Sequence, residues 1–300
     1  MTSACQRDNS IAEGVAERRH SPAGLQQGRV AEMAKISLRF WGVRGSIPTP
    51  GAARMRYGGN TPCVELRCGE HLLILDAGSG LRELGLALTG RAKPSDPVDA
   101  DLLLSHAHLD HIMGLPFFAP MFDPAARLRL WGRDMEAALR MSWRHPLMPD
   151  LQDAFRAGIS HHDIAPGSEV ALRPGVRVST CALRHPGGTL GYRIHHAGAS
   201  VAYVVDQEHP QEGLDAFVAG ADVMIYDASY TEAEYSTRVG WGHSTWQEGV
   251  RLAAAAGVGR LVLFHHDPDH DDATMDAIEA AAAAARPGTV AAREGMLIEV

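Results

Sequence analysis

The segment LLLSHAHLDHIMGLPFF, residues 102–118, places three histidines and one aspartate within six positions, directly after an apolar run. The apolar run is short and aliphatic, which predicts a buried β-strand. His106 and His108 are two residues apart, so in an extended chain both side chains point the same way and can reach one metal ion. Asp110 and His111 are adjacent, and they can meet a second ion only if the chain turns into a helix there. Imidazole and carboxylate groups suit zinc, manganese or iron, so the segment predicts a metal site at a strand end.

A polar loop with chance histidines is the alternative interpretation of this segment. Histidine is an uncommon residue, and four potential ligands directly after a strand are hard to produce by chance. We therefore favour the metal site.

The overall composition is that of an ordinary globular protein. Of 300 residues, 45% are apolar and 21% are charged. The formal net charge is -8 and no strong basic run is present, so there is no strong nucleic-acid signal. No apolar run reaches the roughly 18 residues needed to cross a bilayer. The four cysteines form no C-x-x-C pair, which is typical of reduced thiols. We expect a cytoplasmic protein without a membrane partner, and a homodimer remains open.

The chain divides into a tail and one domain. Residues 1–34 are polar and rich in small residues, which predicts a disordered N-terminal tail. Met33 directly precedes the first strand-like run, so the sequence leaves open whether residues 1–32 are translated. Residues 35–300 alternate between short apolar runs and helical patterns without a separating linker, which favours one α/β domain with two packed sheets and helices outside.

Predicted strands cover 36–42, 63–68, 71–78, 101–106, 127–132, 175–183, 190–196, 200–206, 221–229, 260–266 and 295–300. Predicted helices cover 80–90, 134–143, 209–220, 244–257 and 272–285. Ser244 and Asp272 are the expected N-caps of the last two helices.

The spacing H-x-H-x-D-H at residues 106–111 resembles the signature of the metallo-β-lactamase fold superfamily. The resemblance covers nearly all of the chain after Lys35. It implies a four-layer αββα sandwich, in which two mixed β-sheets pack face to face with helices outside.

The same resemblance implies which residues bind metal, because further ligands are expected after later strands. One divalent ion is expected on His106, His108 and His185, and a second on Asp110, His111 and His265. Asp206 is expected to bridge the two ions. His266 is the alternative to His265 and alternates to the other face of its strand. Zn2+ is the expected metal and Mn2+ the alternative.

Other segments resemble the phosphodiesterase branch of the superfamily, which includes ribonuclease Z. They are WGVRGSIPTPG from Trp41, LILDAGSGLRELG from Leu73, YDASY around Asp227 and WGHSTWQEGV around His243. The resemblance implies that His243 donates a proton to the leaving group and that Asp227 orients its imidazole. Asp110 is expected to orient the nucleophile as well as to bind metal.

Four further polar residues have less certain parts in this scheme. Ser46, Asn60 and Thr61 are candidates for contacting the substrate, although turn chemistry explains the glycines beside them equally well. Asp76 follows a strand and is interpreted as a turn or cap residue.

The expected substrate is a small or cyclic phosphodiester. Ribonuclease Z carries a protruding arm for transfer RNA between its third histidine motif and its bridging aspartate. Here His185 and Asp206 are only 21 positions apart, so no arm fits, and the chain is acidic.

Three other functions remain as alternatives. A lactone, carbonyl-ester or β-lactam hydrolase could use the same metal pair, but such enzymes lack the DASY and GHST segments. A redox di-iron protein normally has Glu at the second histidine position, where this chain has His108. A non-catalytic metal-binding sensor needs no proton donor such as His243.

Overall fold

The structure is a computed structural model that describes residues 36–91, 97–151 and 153–300. The tail predicted for residues 1–34 lies outside the described residues. Within them, no helix is long and apolar enough to cross a membrane.

Two seven-stranded mixed sheets form the centre of the described fold. The first sheet has the order β14-β1-β2-β3-β4-β5-β6, and the second has the order β13-β12-β11-β10-β9-β8-β7. The strands are β1 Ile36–Gly42, β2 Cys63–Cys68, β3 His71–Leu75, β4 Asp99–Leu103, β5 Arg127–Gly132, β6 Gly158–Asp163, β7 Glu169–Arg173, β8 Val176–Leu183, β9 Thr189–His196, β10 Ala199–Val204, β11 Val223–Asp227, β12 Arg260–Phe264, β13 Val290–Ala291 and β14 Leu297–Glu299.

Seven α-helices accompany the sheets in the described ranges. They are α1 Gly80–Arg91, α2 Leu109–Ile112, α3 Met135–Ser142, α4 Leu214–Val218, α5 Glu232–Tyr235, α6 Trp246–Ala255 and α7 Asp272–Ala285. Short 3-10 turns lie at Ala52–Arg54, Leu115–Phe117 and Ala119–Phe122.

Three apolar cores separate the layers, and this confirms the predicted αββα sandwich. The central core packs one face of each sheet against the other, for example Phe40 of β1 against Phe264 of β12. A second core packs the outer face of the first sheet against α1 and α3, through residues such as Leu84 and Leu139. A third packs the outer face of the second sheet against α6 and α7. Each sheet thus buries both faces, which explains the nearly continuous apolar runs in its central strands.

Three short strands were not predicted from the sequence. β6 (GISHHD) lies at the edge of its sheet and is only half-buried, so it lacks an apolar repeat. β7 is the edge strand of the second sheet, and β13 has only two residues. Edge strands bury little surface, and their pairing is therefore weakly encoded in local sequence.

The predicted cap of α6 is wrong by one residue. Thr245, not Ser244, is the N-cap, and its hydroxyl accepts a hydrogen bond from the backbone N–H of Glu248 at 3.1 Å. Ser244 is fully buried, and its hydroxyl lies 2.8 Å from the hydroxyl of Tyr226 on β11. A tertiary contact therefore decides which of two adjacent capping residues begins the helix.

The cap of α7 shows the same error. Asp271 is the N-cap and accepts a hydrogen bond from the backbone N–H of Thr274. The carboxylate of Asp272 instead accepts hydrogen bonds from the backbone N–H groups of Arg56 and Tyr57. It thereby ties the start of the helix to the loop before β2.

The strand directions bring six carboxyl ends to corresponding edges of the two sheets. β3 and β4 are parallel in the first sheet. β10, β11 and β12 are parallel in the second sheet, and β8 has the same direction because β9 lies antiparallel between β8 and β10. Every predicted metal ligand follows the carboxyl end of one of these strands. The fold therefore places residues that are far apart in sequence at one edge.

A buried carboxylate ties the two sheets together at their other side. Asp101 on β4 is fully buried and accepts hydrogen bonds from Arg129 on β5 at 2.8 Å and from Arg173 on β7 at 2.6 Å. The indole N–H of Trp131 adds a third at 2.9 Å. Since β7 belongs to the second sheet, this carboxylate joins two edge regions that share no backbone hydrogen bonds.

We expect Asp101→Asn to lower the free energy of unfolding by about 2 kcal/mol, because it leaves two largely buried guanidinium groups with only the half-exposed carboxylate of Asp99 as a counter-charge. Urea unfolding followed by circular dichroism measures the change. Glu169→Gln is the matched control, since its partner Arg177 and Glu169 itself are both more than half exposed. Equal stability of the two variants would show that Asp101 does not hold the sheets together.

Candidate metal centre

The seven predicted ligand residues lie together at the shared edge of the two sheets. Two groups of side chains can be distinguished, and within each group the atoms that could bind a metal ion all lie within 4.8 Å of one another. The first group is His106, His108, His185 and Asp206, and the second is Asp110, His111 and His265. The resemblance implied the same two sets with Asp206 shared between them, and a third group of close side chains, Asp206, Asp227, His243 and His265, overlaps both.

Asp206 lies between the two groups and presents one oxygen to each. Its Oδ2 is 3.5 Å from Nε2 of His106 and 3.6 Å from Nε2 of His185. Its Oδ1 is 3.2 Å from Nε2 of His111 and 3.1 Å from Nε2 of His265. A carboxylate in this position can bind one cation with each oxygen.

The short helix α2 is what allows adjacent residues to join the same group. His108 is extended, and the chain enters the helix at Leu109. Asp110 Oδ2 then lies 3.2 Å from Nε2 of His111 and 3.4 Å from Nε2 of His265. The sequence predicted that a helical turn is required here, and the structure contains it.

Four of the histidines are oriented by hydrogen bonds on the ring nitrogen that faces away from the centre. In each case Nδ1 has an outside partner and Nε2 points inward. The partners are the Ser105 hydroxyl for His106 at 3.1 Å, Asp76 for His111 at 2.8 Å, the Gly242 carbonyl for His185 at 2.8 Å and the Ser229 hydroxyl for His265 at 3.0 Å. Sequence reasoning found none of these partners, because they come from other strand ends and loops.

Asp76 has a larger part than the turn or cap role that the sequence indicated. Its backbone φ is 56°, as in a tight turn, but its carboxylate is fully buried. The carboxylate accepts hydrogen bonds from the hydroxyls of Ser105 and Tyr203 and from Nδ1 of His111. The turn interpretation is therefore incomplete, since Asp76 also fixes the orientation of His111.

Left-handed backbone conformations are concentrated around the centre. Asp76, Asp206 and His265 all have φ between 55° and 60°, and each follows the end of a strand. Non-glycine residues adopt this conformation at an energetic cost, and such residues are common at functional sites. The sharp turn at each strand end directs the side chain inward.

Several buried nitrogen and oxygen atoms at the centre lack hydrogen-bond partners in the described part of the chain, and bound cations would supply the missing contacts. Nε2 of His106, Nε2 of His111 and Oδ1 of Asp206 are buried and have no hydrogen-bond partner among the described residues. Buried polar atoms without partners are rare in proteins, because each costs about 1–3 kcal/mol. Two divalent cations would satisfy these atoms.

The protonation tendencies of Asp206 and His106 agree with that fit. At His111 burial lowers the pKa, but the carboxylates of Asp206, Asp110 and Asp76 outweigh burial and hold this pKa well above its ordinary value. Burial alone would raise the pKa of the Asp206 carboxyl, but the imidazoles of His111, His265 and His106 hold this pKa well below its usual range. Burial and the neighbouring imidazoles lower the pKa of His106 well below its ordinary value. An ionised carboxylate and a neutral imidazole are the forms that bind a metal ion.

The structure separates His265 from its alternative. The side chain of His265 lies within the second group, whereas Nε2 of His266 lies 2.8 Å from the carbonyl oxygen of Ala292, beside β13. His265 follows the end of β12 with a left-handed backbone, φ 60°, and this turn directs its side chain, and not that of His266, toward the centre.

Asp227 and His243 form a pair next to the second group. Nδ1 of His243 lies 2.9 Å from Oδ2 of Asp227, and the His243 ring stacks on that of His265 with 4.9 Å between centroids. Burial opposes the charged imidazolium, but the charge and hydrogen bond of Asp227 raise the pKa of His243 to about 9. The contact with Asp227 therefore favours the protonated form of His243.

Asp227 is not placed as a further metal ligand, although its atoms lie near those of His265. Both of its oxygens are already used. Oδ1 accepts hydrogen bonds from the backbone N–H and the hydroxyl of Ser229, and Oδ2 accepts one from the backbone N–H of Gln207 besides that of His243. The pair is therefore arranged to hold a proton.

Of the three candidate substrate-contacting residues, only Ser46 lies at the centre. Its backbone N–H donates to Oδ2 of Asp110 at 2.8 Å. The side chain of Asn60 lies 3.3 Å from Glu294 and 2.9 Å from the Ser79 hydroxyl, and the Thr61 hydroxyl accepts a hydrogen bond from Ser79. Asn60 and Thr61 thus stabilise the turn before β2, which agrees with the turn interpretation, and their contact with substrate stays a prediction.

Comparison with known proteins finds a family model and relatives that match this chain. The family model described as "Beta-lactamase superfamily domain" matches residues 71–266, which include all seven ligand candidates and the His243–Asp227 pair. A ribonuclease Z of Mycobacterium sp. (strain KMS) is 30% identical over 253 residues, covering 74% of this chain and 81% of the relative.

Solved structures show the same fold. The metallo-β-lactamase fold protein YhfI from Bacillus subtilis superposes with a TM-score of 0.69 and 20% identity, covering 89% of this chain and 100% of that one. A diphosphatase from the PhnP family has a TM-score of 0.66 and 18% identity, covering 89% and 97%. At these identities the likeness concerns the fold alone.

We expect Asp76→Asn to weaken zinc binding by roughly tenfold or more, because the amide can no longer accept all the hydrogen bonds that orient His111 and Ser105. Competition with a chromogenic chelator measures the affinity. Asp134→Asn is the control, since Asp134 also has a left-handed backbone, with φ of 54°, but is exposed. Equal zinc affinity in the two variants would contradict the role of Asp76.

Proposed function

Because the chain belongs to the metallo-β-lactamase superfamily, in its ribonuclease Z-like branch, and is a metal-dependent hydrolase, we propose that it is a phosphodiesterase acting on a small or cyclic phosphodiester. The observation that carries the proposal is the His243–Asp227 pair beside the metal centre. Hydrolysis of a phosphodiester releases an alkoxide, which needs a proton as it leaves. His243 is positioned to supply that proton.

We propose that His106, His108 and His185 hold one divalent ion, that Asp110, His111 and His265 hold the other, and that Asp206 bridges them. Five imidazoles and two carboxylates suit zinc, which binds nitrogen and oxygen ligands with little geometric preference. When bound, such a pair supplies a nucleophile at neutral pH and offsets the charge of the phosphoryl oxygens.

The protein's own residues have distinct parts in the reaction. Asp206 and Asp110 hold negative charge at the centre, and their neighbours keep them ionised. The Ser46 backbone N–H holds the Asp110 carboxylate in place. His243 carries the proton on Nε2, and Asp227 holds its Nδ1, so that the proton faces the reacting group.

A small substrate is favoured over a long RNA, although several curated relatives are ribonucleases Z. The segment between His185 and Asp206 is occupied by the hairpin of β9 and β10, which belongs to the second sheet. This leaves no residues there for the protruding arm expected of a transfer-RNA enzyme. The acidic net charge points the same way.

Carbonyl substrates such as lactones and β-lactams are the weaker alternative. Attack on a carbonyl group makes less demand on a separate proton donor. The contact between the fully buried Asp227 and Nδ1 of His243, which favours a protonated imidazole, would then have no catalytic use.

We expect His243→Ala to lower kcat by about 10²–10⁴-fold on a phosphodiester with an alkyl leaving group, while bound metal is unchanged. The loss should be much smaller on bis(p-nitrophenyl) phosphate, because nitrophenolate leaves without a proton. His195→Ala on β9, which lies away from the centre, serves as the control. Equal losses on both substrates would count against the proton-donor role.

We expect removal of metal by a chelator to abolish turnover and added Zn2+ to restore it. Metal analysis should then give two ions for each chain.

A substrate panel should show hydrolysis of nucleoside 2′,3′- or 3′,5′-cyclic phosphates and little turnover of a lactone or a β-lactam. Faster turnover of either carbonyl substrate would overturn the phosphodiesterase proposal.

A further inference from the structure

A cavity of about 420 Å³ lies beside His243 and is not part of the metal centre itself. Its size is within the range of sites for small organic molecules. His243 and Ser46 line it next to the centre, and the rest of the lining is formed by Tyr230, Arg238, Trp241, Asp267, Pro268 and Asp269. A ligand in this cavity would therefore lie next to the residue that donates the proton.

One wall of the cavity is aromatic and cationic. The guanidinium carbon of Arg238 lies 4.8 Å above the ring centroid of Tyr230, which fixes the plane of the guanidinium group. In the part of the chain that the structure describes, no carboxylate lies within ion-pair distance of Arg238. Trp241 is 61% exposed at the rim, which is unusual for so large an apolar side chain. Both flat groups can stack on a planar ring.

The cavity lining also includes the carboxylates of Asp267 and Asp269. Asp269 is exposed, and its backbone N–H donates to Oδ1 of Asp267 at 2.8 Å. Two carboxylates disfavour a phosphate beside them, but they accept hydrogen bonds from hydroxyl and amino groups. The cavity thus combines surfaces for stacking with acceptors for hydrogen bonds.

The loop that carries Trp241 is held rigidly. Glu208 is buried, and its carboxylate accepts hydrogen bonds from the backbone N–H of Gly240 at 2.7 Å and of Gly242 at 3.0 Å. The Gly242 carbonyl also accepts the hydrogen bond from His185. Trp241, between these two glycines, is therefore anchored by the same contacts that orient a metal-ligand candidate.

We propose that this cavity, here called the leaving-group pocket, binds a nucleoside as the leaving alcohol, with Trp241 and Arg238 as specificity-determining residues that stack on its base. A nucleoside has the planar ring that suits Trp241 and Arg238, and it has the hydroxyl and amino donors that suit Asp267 and Asp269. A plain alkyl alcohol has neither feature. The assignment rests on the proposed phosphodiesterase function.

The reaction at this pocket is the hydrolysis of one phosphodiester bond. A water oxygen bonds to phosphorus, and the bond from phosphorus to the nucleoside oxygen breaks with its electron pair on that oxygen. The nucleoside oxygen takes a proton from His243. The proton lost by water passes to solvent, from which His243 is protonated again.

The test compares two cyclic phosphates that differ in the leaving group. Adenosine 2′,3′-cyclic phosphate carries a base, and glycerol 1,2-cyclic phosphate does not. We expect the wild-type protein to prefer the adenosine compound in kcat/KM. Trp241→Ala should lower the ratio of the two kcat/KM values by roughly tenfold, mainly through KM, because base stacking on an aromatic side chain is lost. Arg238→Gln should lower the ratio in the same direction.

Val239→Ala is the matched control, because Val239 is also 61% exposed on the same loop but does not line the pocket. It should leave the ratio unchanged. If Trp241→Ala leaves the ratio unchanged, or lowers both kcat/KM values equally, the leaving-group pocket is refuted while phosphodiesterase activity stands. If the wild-type protein hydrolyses neither compound nor any other phosphodiester, the proposed function itself fails.

Discussion

The burial of Asp206 is the constraint on which the centre depends. This carboxylate is 1% exposed and lies within 3.6 Å of four imidazole Nε2 atoms. A buried charge is costly unless an opposite charge compensates it, and here the compensation comes from protonated imidazoles or from bound cations. The five imidazoles and two carboxylates could hold two cations. Each cation would then face one oxygen of Asp206, and the two together would compensate its charge.

Two features support the centre: left-handed backbone conformations at three strand ends, and hydrogen bonds from surrounding residues to the imidazoles. Left-handed turns at the ends of β3, β10 and β12 direct Asp76, Asp206 and His265 inward. Each such turn costs free energy, which the two-sided burial of both sheets offsets. The outer partners then hold each imidazole with Nε2 toward the centre, so that the ligand set is preorganised.

The arrangement around His243 connects the centre with the cavity beside it. Asp227 holds one nitrogen of His243, and the other nitrogen faces the region between the metal-ligand candidates and the leaving-group pocket. Glu208 follows Asp206 by two residues and fixes the loop that bears Trp241. The segment after β10 therefore carries both a ligand candidate and the carboxylate that holds the loop of the proposed pocket.

Apolar runs in the sequence predicted two packed sheets with helices outside, and the local H-x-H-x-D-H spacing predicted a metal site at residues 106–111. The αββα sandwich and the later ligand candidates His185, Asp206 and His265 were what the family resemblance implied. The sequence also showed that Asp110 and His111 need a helical turn. Only the tertiary structure decided that Asp76, Ser105, Ser229 and the Gly242 carbonyl orient the imidazoles, that Thr245 and Asp271 cap their helices, and that Asn60 and Thr61 are hydrogen-bonded to Ser79 in the turn before β2. These contacts join residues from different strand ends and loops, and a hydrogen bond between distant residues leaves no periodic signal in the chain. Which face His265 or His266 presents was likewise settled by one left-handed residue, whose conformation local sequence does not specify.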